Sequence, residues 1–385
     1  MNQVLQGDCL EELKKLPENS VDAVVTDPPY ELGFMGKSWD STGIANNVEM
    51  WKETLRVLKP GGHLLAFSGT RTYHRMASAI EDAGFEVRDM IEWVYGSGFP
   101  KSLNIGKAVD KLQGNERIKT GEIKHHAQKG VAVAEERGAI GGGAFGQAKD
   151  EEITKGTSEW EGWGTALKPA HEPICMARKP LAEKTVAENC LKYGTGGINI
   201  DESRVGTTDE LKEQKAKGSN GGEAYGDYNL DATYTPSTLG RFPANLIHDN
   251  SEEVRECFPD TKSGSGNKNK NPKKLFGATM KSGDDKIWEA DSGNASRFFK
   301  SIIYQAKASK SDRGEGNNHA TVKPTSLMEY LIKMVTKEGQ TVLDPFGGSG
   351  TTGVACKNTG RNYILIEKEQ EYIDIINNRL YGTSI

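Results

Sequence analysis

The sequence predicts an α/β protein with a mostly parallel sheet, and three observations support this fold class. Strand-like and helix-like segments alternate along the chain. One strand-like run ends in the four residues 27–30, Asp-Pro-Pro-Tyr, and another ends in the glycine-rich turn Gly347–Gly350. Strands that alternate with helices form parallel sheets, and ligands bind at the carboxyl ends of such strands. We therefore expect the first motif at the carboxyl edge of its strand, where it can form part of a pocket.

The first motif follows the apolar run 21–26 and has the composition of a pocket for a planar amine. Its prolines fix φ and lack N–H donors, which keeps the local carbonyls as acceptors beside the acid. The tyrosine can stack on the ring that carries the amine. An ordinary proline-rich turn after a strand is the alternative. The candidate catalytic residues are Asp27, Pro28, Pro29 and Tyr30.

The second motif predicts a strand, a tight turn and a helix that together bind a nucleoside. Glycines let the backbone approach a ligand, and Ser349 or Thr351 is predicted to cap the helix that follows, whose N-terminus attracts a carboxylate. The spacing differs from the dinucleotide fingerprint G-x-G-x-x-G. A further strand, 362–366, ends in Glu367 about twenty residues after the turn, where nucleotide-binding folds place the acid that holds a ribose.

Periodicity and turn residues predict the other elements of the sheet in chain order. A helix is predicted at 48–58, stopped by Lys-Pro-Gly-Gly at 59–62, and is followed by a strand at 63–67, a helix at 73–83 and strands at 87–95 and 171–178.

Two segments of different composition interrupt the predicted core. The polar, glycine-rich residues 101–165 are predicted to form an insertion near the active site, with a disordered surface loop as the alternative for their middle part. Residues 181–316 form a second irregular segment, of which 240–245 is predicted to be ordered. The predicted divisions are 1–100 for the first half of the core, 101–165 for the insertion, 166–180 for a core strand, 181–316 for the second irregular segment and 317–385 for the second half of the core.

Together the two motifs resemble the S-adenosylmethionine-dependent amino-methyltransferases of DNA in the permuted, or β-class, motif order. Residues 7–9, Gly-Asp-Cys, and 319–324, His-Ala-Thr-Val-Lys-Pro, extend the resemblance, although Ala320 stands where the family more often has proline. The resemblance implies a Rossmann-like methyltransferase fold and assigns target recognition to 181–316. It leaves restriction–modification, phage or prophage self-protection and regulatory marking open as biological roles.

The resemblance also implies a cofactor site. Asp8 would approach the adenine, Glu367 the ribose, Asp344 and the glycine turn the methionine part, and Thr321 and Lys323 its carboxylate. Two alternatives stay open at this point, because Asp8 precedes a helix and could cap it, and Lys323 could be a surface lysine. The complete set of candidate cofactor-binding residues is Asp8, Cys9, Thr321, Lys323, Asp344, Pro345, Phe346, Gly347, Gly348, Ser349, Gly350, Thr351 and Glu367.

The implied reaction is methyl transfer to N6 of adenine in double-stranded DNA, with S-adenosylmethionine as the donor and without a metal. The first residue of the first motif is Asp27 rather than Ser, and within the resemblance this favours adenine N6 as the target. Methylation of N4 of cytosine is the nearest alternative. An RNA or protein methyltransferase is less favoured, because residue 27 is Asp. A catalytically silent DNA-binding relative is also less favoured, because Asp27 and Glu367 are both present.

Composition excludes several other classes. The chain has 385 residues and is 35% apolar, and it contains no apolar run near the roughly 20 residues of a membrane span. Its N-terminus does not look like a signal peptide, so a cytoplasmic protein without membrane attachment is expected. The five cysteines form no C-x-x-C pair, which argues against a zinc site and disulfides. Homodimerisation is left open.

The net charge of −5 is unevenly distributed. Residues 261–310 contain eleven basic and four acidic side chains, a local charge of +7, interleaved with aromatic residues. Such a segment is typical of a surface that contacts DNA phosphates, and a solvated lysine-rich loop is the alternative.

Overall fold

A computed structural model describes most of the chain in two compact units. The described residues are 2–33, 38–96, 98, 102–124, 151–206, 214–216, 232–234, 240–262, 292–302, 313, 316–319 and 321–382. The larger unit comprises 1–97 and 170–385, and the smaller unit comprises 98–169. The smaller unit thus contains the residues that the sequence separates as an insertion.

The larger unit begins with alternating strands and helices, as the sequence predicts. The elements of its first part are β1 (Gln3–Gln6), α1 (Cys9–Lys15), β2 (Val21–Thr26), α2 (Val48–Val57), β3 (Leu58–Phe67), α3 (Tyr73–Asp82) and β4 (Glu86–Val94), with 3₁₀ turns at Ser38–Ser41 and Ile44–Asn46.

The smaller unit is built from a helix and a hairpin. Its elements are α4 (Ile105–Gln113), β5 (Ile118–Lys124) and β6 (Glu151–Lys155), and β5 and β6 pair antiparallel. Arg117 pairs with the fully buried Asp110 and with Glu161 at 2.8 Å, which ties the helix to the hairpin. Trp160 and Trp163, predicted at the exit of the insertion, pack edge to face at 5.2 Å.

The larger unit then resumes and contains the second half of the core. Its remaining elements are β7 (His171–Arg178), α5 (Val186–Tyr193), α6 (Ile200–Ser203), β8 (Gln214–Ala216), β9 (Ala232–Tyr234), β10 (Leu246–His248), α7 (Glu252–Arg255), β11 (Asp260–Lys262), β12 (Ser292–Asn294), a 3₁₀ turn (Ala295–Phe298), β13 (Lys300–Ser301), α8 (Thr325–Val335), β14 (Thr341–Asp344), α9 (Thr351–Asn358), β15 (Asn362–Glu367) and α10 (Gln370–Tyr381).

Nine strands form one mostly parallel sheet in the order β1-β15-β14-β2-β3-β7-β4-β10-β13. Among the described strands of this sheet, β7 alone runs antiparallel to its two neighbours, β3 and β4. The predicted α/β fold class, a Rossmann-like sheet, is therefore confirmed. Because β14 lies beside β2, the strands that carry the two motifs are direct neighbours although they are far apart in the sequence.

The central strands of the sheet are buried on both faces, which explains why β2 contains mostly apolar residues. Val25 and Leu65 belong to a hydrophobic cluster that includes residues of α8, α9 and α10, while Val24 and Leu64 belong to another that includes residues of α1, α2 and α3. Successive residues of a strand point to opposite faces, and both faces here are covered by helices. All six residues of β2 are buried, so its carboxyl end is held rigidly.

One predicted boundary is wrong. The residues 59–62 were expected to end a helix and precede a strand, but they lie within β3. There they form a bulge, because Val21 pairs with Leu58 and Ala23 pairs with His63. Only glycine fits at position 62, where a Cβ would lie 2.8 Å from the Asp22 carbonyl oxygen.

Some predicted features lie outside the described residues, including Gly141–Gly143 and most lysines of the 261–310 segment. Residues 240–245 are described, and Arg241 pairs with Val205 in an antiparallel bridge. Across the described ranges, no helix is long and apolar enough to span a membrane.

Candidate active site

The two motifs meet at the carboxyl edge of the sheet. Asp27 follows β2, and the glycine turn follows β14 on the neighbouring strand. On the other side of β14, Glu367 ends β15, whose partner β1 leads directly to Asp8. A parallel sheet places all these strand ends at one edge, so the topology brings together the segments that carry Asp8, Asp27, the glycine turn and Glu367.

Asp27 and Tyr30 share a buried network with a lysine from the other half of the chain. Lys323 Nζ lies 2.6 Å from Asp27 Oδ2 and 3.1 Å from the Tyr30 hydroxyl oxygen. It also lies 3.3 Å from the Glu172 carboxylate, to which the Tyr30 hydroxyl donates at 2.9 Å. The alternative of a surface lysine is therefore wrong for Lys323, which lies on the amine-binding motif.

Charge pairing fixes the protonation state of this network. Burial lowers the pKa of Lys323, but the carboxylates of Asp27 and Glu172 more than offset this, so its pKa is raised. Burial, with the same two carboxylates, raises the pKa of Tyr30. The site therefore holds an ammonium and a neutral phenol between two carboxylates.

Glu172 is the member of this network that sequence reasoning missed. It stands near the start of β7, the antiparallel strand within the described part of the large sheet, and Phe67 at the end of β3 pairs with Ile174. The start of an antiparallel strand lies at the same edge as the ends of its neighbours, which brings Glu172 to the site. A carboxylate at the start of an otherwise apolar strand was the available signal, but the sequence does not show that β7 is antiparallel.

One oxygen of the motif is left without a partner. Within the described part of the chain, Asp27 Oδ1 is buried and accepts no hydrogen bond. An unpaired buried carboxylate oxygen costs about 1–3 kcal/mol or more, and such groups call for an explanation. An acceptor held in this way is suited to a donor that arrives with the substrate.

Side-chain hydrogen bonds fix the turn at residues 30–32, at the end of the first motif. Glu31 adopts a left-handed conformation with φ 56°, which is uncommon for a non-glycine residue. Buried Asp40 accepts hydrogen bonds from the backbone N–H groups of Glu31 and Leu32 at 3.0 and 3.2 Å, and the Thr72 hydroxyl donates to the Tyr30 carbonyl at 2.7 Å. These contacts fix the backbone on which Tyr30 is carried.

Asp344 shapes the glycine turn from within the protein. Its carboxylate accepts hydrogen bonds from the Thr26 hydroxyl at 2.6 Å, the Thr352 hydroxyl at 2.5 Å and the Phe346 N–H at 3.0 Å. Burial raises its pKa to about 6, although these three donors oppose the shift. Both oxygens are thus used by protein donors, and the Thr26 contact joins the end of β2 to the end of β14.

Glu367 clamps the turn from the neighbouring strand. Its Oε2 accepts from the Gly348 N–H at 2.8 Å, and its Oε1 accepts from the N–H groups of Lys368 and Glu369 at 2.9 Å each. Burial is the main reason that its pKa is raised. The side chain is therefore held in one orientation at the strand end, beside the turn.

Three further predicted cofactor residues, Asp8, Thr321 and Cys9, have protein partners or are buried in this structure. Asp8 caps α1 by accepting from the Leu10 N–H at 3.0 Å, so the capping interpretation is correct for this structure. Thr321 accepts at its carbonyl from His319, which stacks edge to face on Tyr372 at 4.5 Å. Cys9 is buried, and burial raises its pKa to about 12. The direct cofactor roles of these residues stay predictions.

The expected helix cap is wrong. Gly350, with φ 80°, is the N-cap of α9, and neither Ser349 nor Thr351 caps the helix. Their hydroxyls instead lie 3.2 and 3.1 Å from Arg379 Nη1 of α10. The two hydroxyls contact the Arg379 guanidinium instead of the N-terminal N–H groups of α9. Sequence patterns do not reveal such a partner from another helix.

The residues at this edge fit the nucleoside part of S-adenosylmethionine. A carboxylate offers about four lone-pair sites, of which Glu367 uses three, so one is left for a ribose hydroxyl. Gly348 has φ 52°, and a Cβ there would lie 3.2 Å from His319 Nε2, so a larger residue would strain the turn. Over the described residues, no group of three or more His, Cys, Asp or Glu side chains could hold a metal ion.

Fold and site indicate the class of the protein: a glycine turn suited to a nucleoside and a buried acceptor suited to an amine stand on adjacent strands of an α/β sheet. Residues 21–378 match the N6/N4 methyltransferase family, which is described as DNA methylase. The match covers most of the chain, so the chain belongs to this DNA methylase family. The resemblance drawn from the sequence is thereby confirmed at the level of a DNA amino-methyltransferase that uses S-adenosylmethionine.

Individual relatives support the same family. The chain is 24% identical to Type II methyltransferase M.HindIII of Haemophilus influenzae over 420 residues, which covers 98% of this chain and 94% of that protein. A shorter match to Type II methyltransferase M.HinfI of Haemophilus influenzae is 53% identical over 62 residues, or 16% of this chain and 17% of that protein.

Solved structures are also similar over nearly the whole chain. The M1.HpyAVI–SAM complex aligns with a TM-score of 0.43 and 19% identity, covering 99% of this chain and 100% of that one. PvuII DNA methyltransferase, described as cytosine-N4-specific, aligns with a TM-score of 0.43 and 17% identity, covering 100% and 94%.

Proposed function

We propose that the chain transfers the methyl group of S-adenosylmethionine to N6 of adenine in double-stranded DNA. The observation that carries this proposal is the unpartnered, buried Oδ1 of Asp27, which stands one strand away from the glycine turn. It supports an incoming group that donates a hydrogen bond close to the cofactor, as an exocyclic amine does.

The chemistry requires orientation more than activation of the donor. S-adenosylmethionine supplies a methyl group on a sulfonium, which is already a good electrophile. The exocyclic amine is a poor nucleophile, because its lone pair is delocalised into the ring. Hydrogen bonds from its two protons to Asp27 Oδ1 and the Pro28 carbonyl would favour a pyramidal nitrogen in the transition state. As the C–N bond forms and the S–C bond breaks, Asp27 Oδ1 takes the proton that the nitrogen loses.

Tyr30 is proposed to stack on the target base after the nucleotide has left the duplex. Flipping a base out costs a few kcal/mol, and stacking on an aromatic ring offsets part of that cost. The hydrogen bond to Glu172 and the contact with Lys323 hold the Tyr30 hydroxyl, so the ring is preoriented. Lys323 occupies Asp27 Oδ2, which leaves Oδ1 as the acceptor for the amine.

Cofactor binding is proposed for the segments around Glu367 and the glycine turn. Glu367 would hold the ribose through its remaining lone pair, and Asp344 would act by keeping the turn in place rather than by contact with the ligand. Recognition of the DNA sequence is proposed for residues 181–316, whose described strands β10 and β13 extend the same sheet.

The test is to identify the methylated nucleoside. Duplex DNA is incubated with the protein, S-adenosylmethionine and EDTA, digested to nucleosides and analysed by mass spectrometry, with Asp27→Ala as the control. N6-methyladenine in the wild-type reaction alone supports the proposal. N4-methylcytosine would show that the chain uses the other chemistry of its family, and an unmethylated product would contradict both.

A further inference from the structure

The helix α10 packs directly against the glycine turn. Ile376 of α10 comes so close that a Cβ added at Gly350 would lie 3.0 Å from its Cγ1 atom. Gly350 also has φ 80°, so glycine suits this position both for its backbone conformation and for the close approach of the helix. Arg379 stands three residues after Ile376, so both side chains lie on one face of α10. α10 therefore presents that face to the turn.

Arg379 fixes the second half of the turn through one guanidinium nitrogen. Its Nη1 atom donates to the Ser349 carbonyl at 2.5 Å and lies 3.2 and 3.1 Å from the hydroxyl oxygens of Ser349 and Thr351. Ser349 and Thr351 are both buried, and hydrogen bonds from a charged donor stabilise more than neutral ones. This nitrogen carries two hydrogens and has three protein acceptors within reach, so it keeps no donor for a ligand. Its contacts therefore serve the turn itself.

The turn is held by side chains of opposite charge from two elements. From β15, Glu367 accepts from the Gly348 N–H at 2.8 Å and so fixes the first half of the turn. From α10, Arg379 fixes the second half by donating to a carbonyl. Because the two contacts hold different halves, we expect loss of Arg379 to free the residues that precede α9 and to leave the Glu367 contact in place.

The same face of α10 also supports the segment that leads to Lys323. Tyr372, one helical turn before Ile376, packs edge to face on His319, with ring centres 4.5 Å apart. Lys323 follows four residues later and contacts Asp27 at 2.6 Å. α10 is thus in contact with both segments that the proposed function places at the cofactor and at the amine.

We propose that Arg379 is a positioning residue for S-adenosylmethionine, which holds the glycine turn in the conformation that receives the cofactor. The inference rests on the proposed cofactor site at this turn and adds the side chain that maintains it. A binding turn that is already ordered loses less conformational freedom when the ligand arrives, so its affinity is higher. Without Arg379 we expect weaker cofactor binding and, once cofactor is saturating, a transfer rate near that of wild type.

The first experiment measures the Kd of S-adenosylmethionine by calorimetry, without DNA. Arg379→Met should raise the Kd by about tenfold, in line with the loss of a charged hydrogen bond. Arg379→Lys should raise it less, because an ammonium group can still donate to the Ser349 carbonyl. Lys357→Met is the matched control: this lysine joins α9 to α10 through the Leu380 carbonyl at 2.7 Å and, within the described residues, forms no hydrogen bond with the turn. Its Kd should equal that of wild type.

The second experiment separates positioning of the cofactor from the reaction step. DNA methylation is followed at varied cofactor concentration, and Arg379→Met should raise the KM for the cofactor and leave kcat unchanged. Thr351→Val removes one acceptor of Arg379 and keeps the shape of the side chain. In the Arg379→Met background it should change the Kd less than in wild type, because the partner of its hydroxyl is already gone. Arg379→Lys serves as the background if Arg379→Met does not fold.

Three results would overturn the inference. A wild-type Kd in Arg379→Met, whether or not its unfolding temperature falls, would leave Arg379 as a contributor to stability alone. An equal rise of the Kd in Lys357→Met would assign the effect to packing of α9 on α10. A lower kcat at saturating cofactor with an unchanged KM would place the role of Arg379 in the reaction step.

Glu367→Gln distinguishes this inference from the proposed cofactor site. If Glu367→Gln raises the Kd and Arg379→Met does not, the site stands and the inference on Arg379 fails. If neither variant changes the Kd, the proposed site fails as well. Because the Kd is measured without DNA, a protein that binds the cofactor but methylates no adenine would contradict the proposed target and leave the inference on Arg379 standing.

Discussion

Glu172→Gln tests whether the buried network acts on the reaction. The substitution keeps the shape of the side chain and removes its charge. One oxygen, Glu172 Oε2, accepts from the Tyr30 hydroxyl at 2.9 Å and lies 3.3 Å from Lys323 Nζ. A hydrogen bond that involves a charged group contributes about 1.5–3 kcal/mol, against about 0.5–1.5 for a neutral one. Loss of the charge from two contacts should therefore cost about 2 kcal/mol, or roughly 30-fold in the rate of methyl transfer.

The assay is single-turnover methylation of a duplex at saturating cofactor, together with calorimetric measurement of cofactor affinity. The rate should fall and the affinity should stay near that of wild type, because Glu172 contacts Tyr30 and Lys323 and neither the glycine turn nor Glu367. Tyr30→Phe retains the ring and removes the hydroxyl, so it provides a matched partner. In the Tyr30→Phe background, Glu172→Gln should have a clearly smaller effect than in wild type, because the two residues share one hydrogen bond.

Two results would refute this reasoning. A wild-type rate in Glu172→Gln would mean that the charge on this carboxylate does not matter for transfer. Strictly additive effects of the two substitutions would mean that Glu172 does not act through Tyr30. A merely structural role would instead appear as a lower unfolding temperature with an unchanged rate in the folded enzyme.

Three other predictions concern the two motifs. Asp27→Asn should lower the rate of transfer by about 10²–10³ with cofactor affinity unchanged, because the carboxylate acts on the amine; a comparable loss of affinity in calorimetry would contradict this. Glu367→Gln replaces an acceptor oxygen by an amide donor that can face the backbone N–H of Gly348. It should raise the cofactor Kd by about 5–150-fold, which corresponds to about 1–3 kcal/mol, and saturating cofactor should restore the rate. A rate that stays low at saturating cofactor would show that Glu367 does more than bind the cofactor. Asp344 has its pKa raised from 3.8 to about 6, so the folded state favours the protonated acid, and stability should fall as pH rises between about 4 and 6. Asp344→Asn removes this titration, so its free energy of unfolding relative to wild type should rise by about 2.4 kcal/mol between about pH 4 and pH 7.5 in denaturant titrations. A difference independent of pH would show that Asp344 does not titrate in this range.

The sequence predicted the core elements well where local signals are strong. The helix predicted at 48–58 spans Val48–Val57, and the strand predicted at 171–178 spans His171–Arg178. Periodicity and glycine or proline punctuation are local properties, which is why these boundaries could be read from the chain. The bulge at 59–62 could not, because Pro-Gly-Gly normally ends an element and here its backbone pairs with residues far away. Gly61 N–H donates to the Lys179 carbonyl at 3.0 Å, a contact that no local pattern indicates.

The candidate site was predictable in its residues and only partly in their partners. Asp27, Tyr30 and Glu367 each follow a strand, and that local context was enough to select them. The contact of Lys323 with Asp27 joins residues 296 positions apart, and Glu172 lies 142 positions from Tyr30. Such pairs depend on which strands become neighbours and on the direction of β7, and these are properties of the complete sheet.

The strand order also explains how two motifs from opposite ends of the chain can serve one reaction. β2 lies between β14 and β3, so the amine-binding motif stands one strand spacing from the glycine turn. The Thr26 hydroxyl donates to Asp344 at 2.6 Å and locks the two strand ends together. Lys323 precedes α8 and returns to Asp27, which provides a second connection between the halves. The relative position of Asp27 and the glycine turn is thus set by one sheet spacing and two buried polar contacts. Because methyl transfer depends on alignment of the amine with the methyl group, we expect these contacts to affect the rate even where they touch neither reactant.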